Sequence, residues 1–400
     1  MPKLADNYKC TGCLACVGAC TKGALALCYN EEGHLFYKID ATLCVECGLC
    51  EKTCPVVSGF KYGNNILTES QPFAAWCKDD GLRAKSSSGG VFAGLAKFVI
   101  EQGGVVIGAS LEHNEVKHII IETIDDIYRL QGSKYTQSNT DGIYKITRQY
   151  LREGRTVLFS GLGCQVAGLL SYLGNKEYAG KLYTVDLICG GVPSRFIIDK
   201  YLEQNPEVKE IAGFRNKGNY EFSVICTDGN KQVVPLSDRP FPLCGFYTEL
   251  TNRYSCYDCQ YNGAHRKSDI TIGDYWGDTE YLQEHKKGIS VAVAHSDKGR
   301  NILTLANIEI HEIGWENFLL HNPRMIDGYK RASKSKARRN LAHAFAEYPY
   351  EKLLQIYANK ATMREPWLMA KKIWRYMIGR IMGKMYRKQL KEKINSLHNQ

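Results

Sequence analysis

The stretch Cys10-Thr-Gly-Cys13-Leu-Ala-Cys16-Val-Gly-Ala-Cys20 is answered by Cys44-Val-Glu-Cys47-Gly-Leu-Cys50-Glu-Lys-Thr-Cys54, and this pair decides how the chain is read. Both quartets follow C-x2-C-x2-C-x3-C, and Pro55 closes the second. Three thiolates at that spacing wrap one iron–sulfur cube, while the fourth points away to a neighbouring cube. The expected ligation is therefore crossed. Cys10, Cys13, Cys16 and Cys54 hold one 4Fe–4S cluster, and Cys44, Cys47, Cys50 and Cys20 hold the other. The two halves form an internal repeat, as a pseudo-symmetric two-cluster ferredoxin requires. The alternatives are a zinc ribbon or a disulfide knot. Zinc sites use paired C-x2-C knuckles, and the small apolar residues between these cysteines favour clusters.

A chain of 400 residues can bury a large core and divide into two or three domains. It opens Met-Pro-Lys-Leu-Ala-Asp with no apolar signal segment, and no apolar run reaches membrane-spanning length. Its 16 cysteines, grouped in metal-ligand spacing, predict a metalloprotein of a reducing, cytoplasmic compartment. The net charge of +10 is uneven: residues 330–400 carry 18 Lys/Arg against 4 Asp/Glu, and the remainder 34 against 38. A mildly acidic body carries a basic tail.

Between the quartets, the turn signal Asn30-Glu-Glu-Gly33 separates two apolar stretches and predicts a hairpin, with Cys28 as a small buried hydrophobe. The residues after Pro55 read as a linker, with a domain boundary near residue 62. Strands are expected at Phe73–Cys77, Val105–Ala109, Val116–Glu122, Thr156–Ser160 and Leu182–Ile188, and helices at Val91–Gln102, Asp141–Gly154 and onward to Leu173. In the helix after Asp141, Ile143, Ile146 and Tyr150 share a face. From Phe214 to Leu236 the pattern turns to hairpins, and Ile289 to Ile313 closes as a βαβ-like unit. The alternation argues for an α/β core. The fold class is thus an α+β ferredoxin-like module over residues 1–62, an α/β domain over 63–320 and a helical tail over 321–400.

Two further sites stand out. Ser86-Ser87-Ser88-Gly89-Gly90 ahead of a helix resembles an anion cradle, flanked by Arg83 and Lys85, although Ser/Gly before a helix is also ordinary capping. Cys164, Cys189, Cys256 and Cys259 sit at strand-to-loop junctions and in a C-x2-C knuckle. They suit a third iron–sulfur cluster or a structural zinc, or are separate buried thiols. Cys77, Cys226 and Cys244 lack ligand spacing and are expected in the core.

Residues 1 to about 300 resemble the coenzyme F420 hydrogenase/dehydrogenase beta subunits, in the form fused to an N-terminal two-cluster ferredoxin. Six ordered blocks carry the likeness: Ser87–Phe92, Gly132–Ser138, Leu158–Leu169, Asp186–Ser194, Ser255–Cys259 and Ser268–Gly277. The resemblance implies a flavin, FAD or FMN, in the central domain, fed by the clusters, and a redox partner at its exposed face. It implies that the Ser86–Gly90 block holds the flavin phosphates, that Lys134 and Tyr135 line the isoalloxazine as catalytic residues, and that Cys164, Cys189, Cys256 and Cys259 ligate a cluster beside it. Three positions depart from the pattern. Thr21 stands for a proline, Leu162-Gly163 for Thr-Pro, and Gly190 for a histidine, so no histidine donates a proton at that position.

The tail lies outside the resemblance. Trp367, Ala370, Trp374, Ile378, Ile381 and Met385 form one helical stripe opposite Lys372, Arg375, Arg380 and Arg387. Such a helix suits an anionic membrane surface, where each basic residue contributes about 1 kcal/mol, or packs on protein. Lys330–Arg339 is basic, but no nucleic-acid fold accompanies it. The expected function is an iron–sulfur flavoprotein oxidoreductase passing electrons between a ferredoxin-type one-electron carrier and a two-electron substrate, F420-like or other. The alternative is a non-catalytic electron-transfer subunit of a larger redox complex.

Overall fold

The structure is a computed structural model and describes residues 1–60, 64–65, 69–217, 221–263, 265–276, 280–327, 335–359 and 392. The boundary expected near residue 62, part of Lys330–Arg339 and the tail stripe from Trp367 to Met385 lie outside the described residues.

Each quartet builds one short helix, α1 Ala15–Ala19 and α2 Leu49–Thr53. Each begins after a left-handed residue, Leu14 at φ 60° and Gly48 at φ 71°, and ends at an extended cysteine, Cys20 or Cys54. Leaving the helix there sends the fourth thiol of each quartet off the helix surface that carries the third. The hairpin between them pairs β1 Leu25–Tyr29 with β2 Leu35–Ile39. Its turn is held by Asn30, whose Oδ1 accepts from the N–H groups of Glu32 and His34 at 3.1 and 2.8 Å, and by Gly33 at φ 72°. Cys28, expected as buried, is half-buried, because it faces the side of this two-stranded ribbon that is incompletely covered.

Residues 71–312 follow with β3 Gln71–Cys77, α3 Asp80–Lys85, α4 Val91–Glu101, β4 Val105–Glu112, β5 Glu115–Ile121 and α5 Ile143–Arg152. Next come β6 Val157–Ser160, α6 Gly163–Leu173, β7 Leu182–Leu187, α7 Phe196–Gln204, β8 Val208–Gly213, β9 Phe222–Cys226 and β10 Lys231–Val234. The last are α8 Phe241–Thr248, β11 Ile270–Asp274, β12 Ser290–Ala294, α9 Asp297–Leu305 and β13 Ile308–Glu312. Eight of these strands form one mixed sheet in the order β13-β3-β12-β11-β7-β6-β4-β5. The neighbours β11, β7, β6 and β4 run parallel, and the remaining pairings are antiparallel. Parallel strands are covered on both faces, so β6 reads as an unbroken apolar run in which Val157, Leu158 and Phe159 are fully buried. Leu95 and Val99 of α4 pack in one core with Ile302 and Leu303 of α9, while Val166 and Leu169 of α6 pack in another with Tyr144 of α5. Each such side chain contributes about 1.5–3 kcal/mol.

The face expected for α5 is corrected. Ile143 is buried, but Ile146 is exposed and Tyr150 half-buried, and the inner face is completed by Tyr144, Thr147 and Leu151. The polar members satisfy themselves inside: Tyr144 Oη donates to Gln165 O at 3.0 Å, and Thr147 Oγ1 to Ile143 O at 2.8 Å. β12 and β13 do not pair directly; β3 lies between them. A second sheet, β10-β9-β8, begins before Phe214 with β8 and roofs a second core. Two short helices, Leu341–Glu347 and Tyr350–Tyr357, add Leu341, Phe345, Leu353 and Tyr357 to that core. Cys77 and Cys244 are buried as expected, whereas Cys226, near the β9–β10 turn, is half-buried.

The ferredoxin-like module is seated on this body by polar contacts. Arg253, almost fully buried, donates to Cys10 O at 3.2 Å, Leu35 O at 2.6 Å and Gln137 Oε1 at 2.7 Å. Gln137 donates to Thr11 O, and Thr140 Oγ1 to Cys13 O at 2.8 Å. Arg338 grips both carboxylate oxygens of Glu32 at 2.7 Å, donates to Asn252 O at 2.8 Å, and lies 3.8 Å from the Tyr254 ring centre. A basic stretch weighed in the sequence only as a nucleic-acid signal thus contributes a buried clamp. No helix among the described residues is long and apolar enough to cross a membrane.

Candidate functional site

Cys10, Cys13, Cys16 and Cys54 line one small cavity with Ala5, Phe36 and Tyr37. Cys20, Cys44, Cys47 and Cys50 line another with Leu25, Ile39 and Leu49. In the inner cage, burial, with Cys54 and Cys10 adding to it, pushes the free Cys13 thiol up to about 12. Thiols gathered around one small cavity lose their protons together only around a positive centre, which fits an iron–sulfur cage. The apolar walls fit it as well. The outer cage is more open: Cys47 is exposed, as are Leu43, Val45 and Leu49 beside it.

Cys164, Cys189, Cys256 and Cys259 come from three segments. Cys164 is in the first turn of α6, Cys189 follows β7, and the other two form the knuckle after α8. The four lie within electrostatic reach of one another. After burial, the neighbours that raise the Cys164 thiol are Cys259, Cys189 and Cys256, then Cys13 of the inner cage. The inner cage abuts α6 closely, since a Cβ on Gly168 would lie 3.0 Å from Cys13 Sγ. Behind Cys189 runs a buried polar chain: Asn262 donates to Cys189 O at 2.9 Å, Arg266 to Asn262 Oδ1 at 2.9 Å, and Arg266 pairs with Asp186 at 3.0 Å.

A cavity of about 520 Å³ opens beyond Cys189. It lies where the parallel strands end, with Ser160 at the end of β6, Ile188 and Cys189 after β7, and Asp274 at the end of β11 on its wall. This is where α/β sheets hold ligands. Ser86, Ser87, Ser88 and Gly90 line it at the N-terminus of α4. Ser86 and Ser88 donate to Leu82 O and Ile289 O. Ser87 Oγ accepts from the N–H and hydroxyl of Ser133 at 2.8 and 3.0 Å, which leaves its own proton for a ligand. Gly89 does not line the cavity. Its N–H donates to Ser290 Oγ, and a Cβ there would lie 2.5 Å from Ala75 O, so its place is close packing against the sheet. Arg83 also turns away, to Glu284 at 2.6 Å and Gly288 O, because its burial under the loop demands those partners.

Lys134 and Tyr135 both line the cavity. Lys134 Nζ donates to the carbonyls of Leu130, Gln131 and Gly132 at 3.0, 2.8 and 3.2 Å, which commits all three of its protons to its own loop. Burial draws this amine down to about 7, and the three acceptors oppose that by favouring the ammonium. Tyr135 stacks on Phe246 with ring centres 4.2 Å apart. Gly190 leaves room for Arg324 on the same wall.

Sequence reasoning missed three groups here. His118 on β5 contacts Ser160 O through Nε2 at 2.9 Å and Ser138 Oγ through Nδ1 at 2.6 Å. Burial pushes it down to about 4, so it is neutral at pH 7, with Nε2 as donor. Its alternation with Val116 on the inner face of β5 was the available signal. Arg215 is held bidentate by Asp274 at 2.5 and 3.0 Å and lies over Trp276 at 5.3 Å. Arg324 pairs with Glu249 at 3.2 Å. Neither arginine stood in a recognisable spacing.

Residues 9–57 match the model of a 4Fe-4S dicluster domain. Residues 72–144 match that of coenzyme F420 hydrogenase/dehydrogenase, beta subunit N-term, and residues 154–314 its C terminus. One subunit of the F(420)H(2) dehydrogenase of Methanosarcina mazei is 26% identical over 281 residues, covering 62% of this chain and 76% of that one. Coenzyme F420-dependent sulfite reductase of Methanocaldococcus jannaschii is 28% identical over 171 residues, which is 42% of this chain and 26% of that protein. A chain of the F420-reducing NiFe hydrogenase complex from Methanosarcina barkeri aligns over 71% of this chain and 91% of its own length, at 20% identity and a TM-score of 0.43.

Proposed function

The chain belongs to the family of coenzyme F420 hydrogenase/dehydrogenase beta subunits with an N-terminal 4Fe-4S dicluster domain, a family of oxidoreductases, and on that basis we propose how its residues divide the work. It passes electrons between a one-electron carrier and a two-electron substrate by way of the two cages, the third cysteine set and a flavin, FAD or FMN, in the large cavity. The observation that carries this reading is the position of Cys189, which belongs to the third set and forms the cavity wall. The third set in turn feels Cys13 of the inner cage.

Clusters carry single electrons, whereas a bound flavin exchanges one or two, so the pair converts between the two kinds of carrier. Ser87 supplies a hydroxyl donor, and the first turn of α4 its unpaired N–H groups, to a phosphate. Tyr135 on Phe246 offers a flat aromatic wall to a ring. Lys134 fixes the loop that carries Tyr135, which acts by shape rather than by proton transfer. His118, neutral, braces Ser138 and Ser160 behind the cavity. The two-electron substrate is F420-like, the chemistry named in both relatives.

The test is anaerobic purification with iron, sulfide and flavin counted, followed by Cys189→Ala. Three clusters' worth of iron and one flavin are expected, and the variant loses one cluster and ferredoxin-driven turnover while keeping the dicluster spectrum. A flavin-free protein with only two clusters' worth of iron overturns the reading. A second reading, an electron-transfer subunit docked on a larger enzyme, is favoured by the exposed Leu43, Val45 and Leu49 around the outer cage. Flavin and clusters without turnover in the isolated chain select it.

A further inference from the structure

Helix α6 carries Cys164 in its first turn and Gly168 one turn later, so the two stand on the same face. Cys164 belongs to the third cysteine set, and the inner cage meets this helix at Gly168. A Cβ on Gly168 would lie 3.0 Å from each of Cys13 Cβ, Cys13 Sγ and Tyr144 Oη, closer than a side chain tolerates. Both neighbours are held in place. Cys13 O accepts from Thr140 Oγ1 at 2.8 Å, and Tyr144 Oη donates back to Gln165 O of α6 at 3.0 Å. The contact is closed to solvent, since Cys13, Tyr144, Ala167 and Gly168 are all buried. Cys13 raises the Cys164 thiol, and both raise the Tyr144 hydroxyl, which sets that ring beside the same gap.

We propose that one turn of α6 is the span crossed by single electrons between the inner cage and the third cysteine set, and that Gly168 keeps this span short. The inference rests on the reading above, in which both sets hold clusters. Each transfer oxidises the cluster in the inner cage by one electron and reduces the one in the third set by one. No bond forms or breaks and no proton moves; the electron comes from the one-electron carrier. A hydrogen in place of a side chain lets the cage rest against the helix backbone. One helical turn of about 5.4 Å separates that contact from Cys164. Interiors are close-packed and transmit strain, so a methyl group at 168 pushes cage and helix apart. Electron transfer slows steeply as that gap widens. Gly168 is a positioning residue in this role.

The experiment mixes the holoprotein with a reduced one-electron carrier and follows the inner and third cluster signals by freeze-quench EPR. Wild type, Gly168→Ala and Gly168→Val are compared. Arrival of the electron at the third set is expected to slow stepwise from glycine to alanine to valine, with iron content, flavin content and cluster midpoints unchanged. A glycine needed only for packing would cost clusters or stability and leave the transfer rate of the folded protein unmoved. If the substitutions at 168 cost the inner cluster, the wild-type protein carries the test. In its fully reduced state the inner signal should be broadened by the third set's spin, and Cys189→Ala should sharpen it. Folded variants with three clusters and the wild-type rate overturn the proposal, as does an inner signal indifferent to Cys189→Ala; either leaves the reading above standing. A wild-type protein with only two clusters' worth of iron overturns both.

Discussion

Gly12 and Glu46 occupy the same place in the two quartets, and both take the left-handed backbone, at φ 65° and 52°. Leu14 and Gly48 match in the same way. The loops are thus one conformation used twice, yet they tolerate different residues. A Cβ on Gly12 would lie 2.5 Å from Arg253 Nη2, 2.7 Å from Leu35 O and 2.9 Å from Gln137 Nε2. Glu46 faces solvent and bonds the N-terminal ammonium. The difference teaches that the cage geometry belongs to the spacing, whereas the identity of the left-handed residue belongs to whatever packs on it. The inner cage faces the protein's interior, and the outer one faces outward.

The comparison can be broken most forcefully at the clamp. Glu32→Gln leaves Arg338 without its carboxylate, and breaking such a buried pair costs about 3–5 kcal/mol. Denaturant midpoints should show that loss, while Glu46→Gln on the outer side should leave them unmoved. Next in size is Gly12→Ala. Left-handed strain of about 1–2 kcal/mol and overpacking of about 1–3 kcal/mol act together, and the EPR signal of the inner cluster should diminish before that of the outer one. Glu46→Ala should leave both signals intact.

Acid sharpens the contrast. His34 sits in the hairpin beside the inner cage, and burial, then the charges of Arg253 and Arg338, hold it well below the usual imidazole value. Its folded pKa lies below the unfolded one, so the neutral ring's contribution is complete above about pH 6.5 and is lost as pH falls toward the folded value. Urea unfolding at pH 8 and pH 5 should show this slope, and His34→Phe should flatten it without loss at pH 8, since neither ring nitrogen has a hydrogen-bond partner among the described residues. The smallest stability effect belongs to the outer rim. Val45→Lys should alter stability by less than about 0.5 kcal/mol, yet slow electron exchange with a carrier protein in stopped flow.

What the sequence made legible follows the same division. Spacing alone grouped the cysteines that line each small cavity, because a repeated quartet sets three near thiols beside the last thiol of the other quartet. The parallel strands were equally plain, since burial on both faces writes continuous apolar runs such as Val157–Phe159. Contacts set by long-range pairing stayed hidden. Arg338 reads as one cation in a basic stretch, and only the fold joins it to Glu32, 306 residues away. Arg83 was misread for the same reason, and the face of α5 because Tyr144 and Thr147 satisfy their hydroxyls internally. At Gly89 the composition was that of a cradle, but the backbone N–H was already committed to Ser290.

The reach of the Arg338 clamp also bears on biosynthesis. Glu32 leaves the ribosome early, and its partner follows 306 residues later, which at about 5–20 residues per second is a wait of about 15–60 s. For that interval the hairpin beside the inner cage lacks its last contact, so cluster insertion can precede closure. A chain truncated before Arg338 would hold the module in that earlier state, where the iron uptake of the two cages can be compared directly.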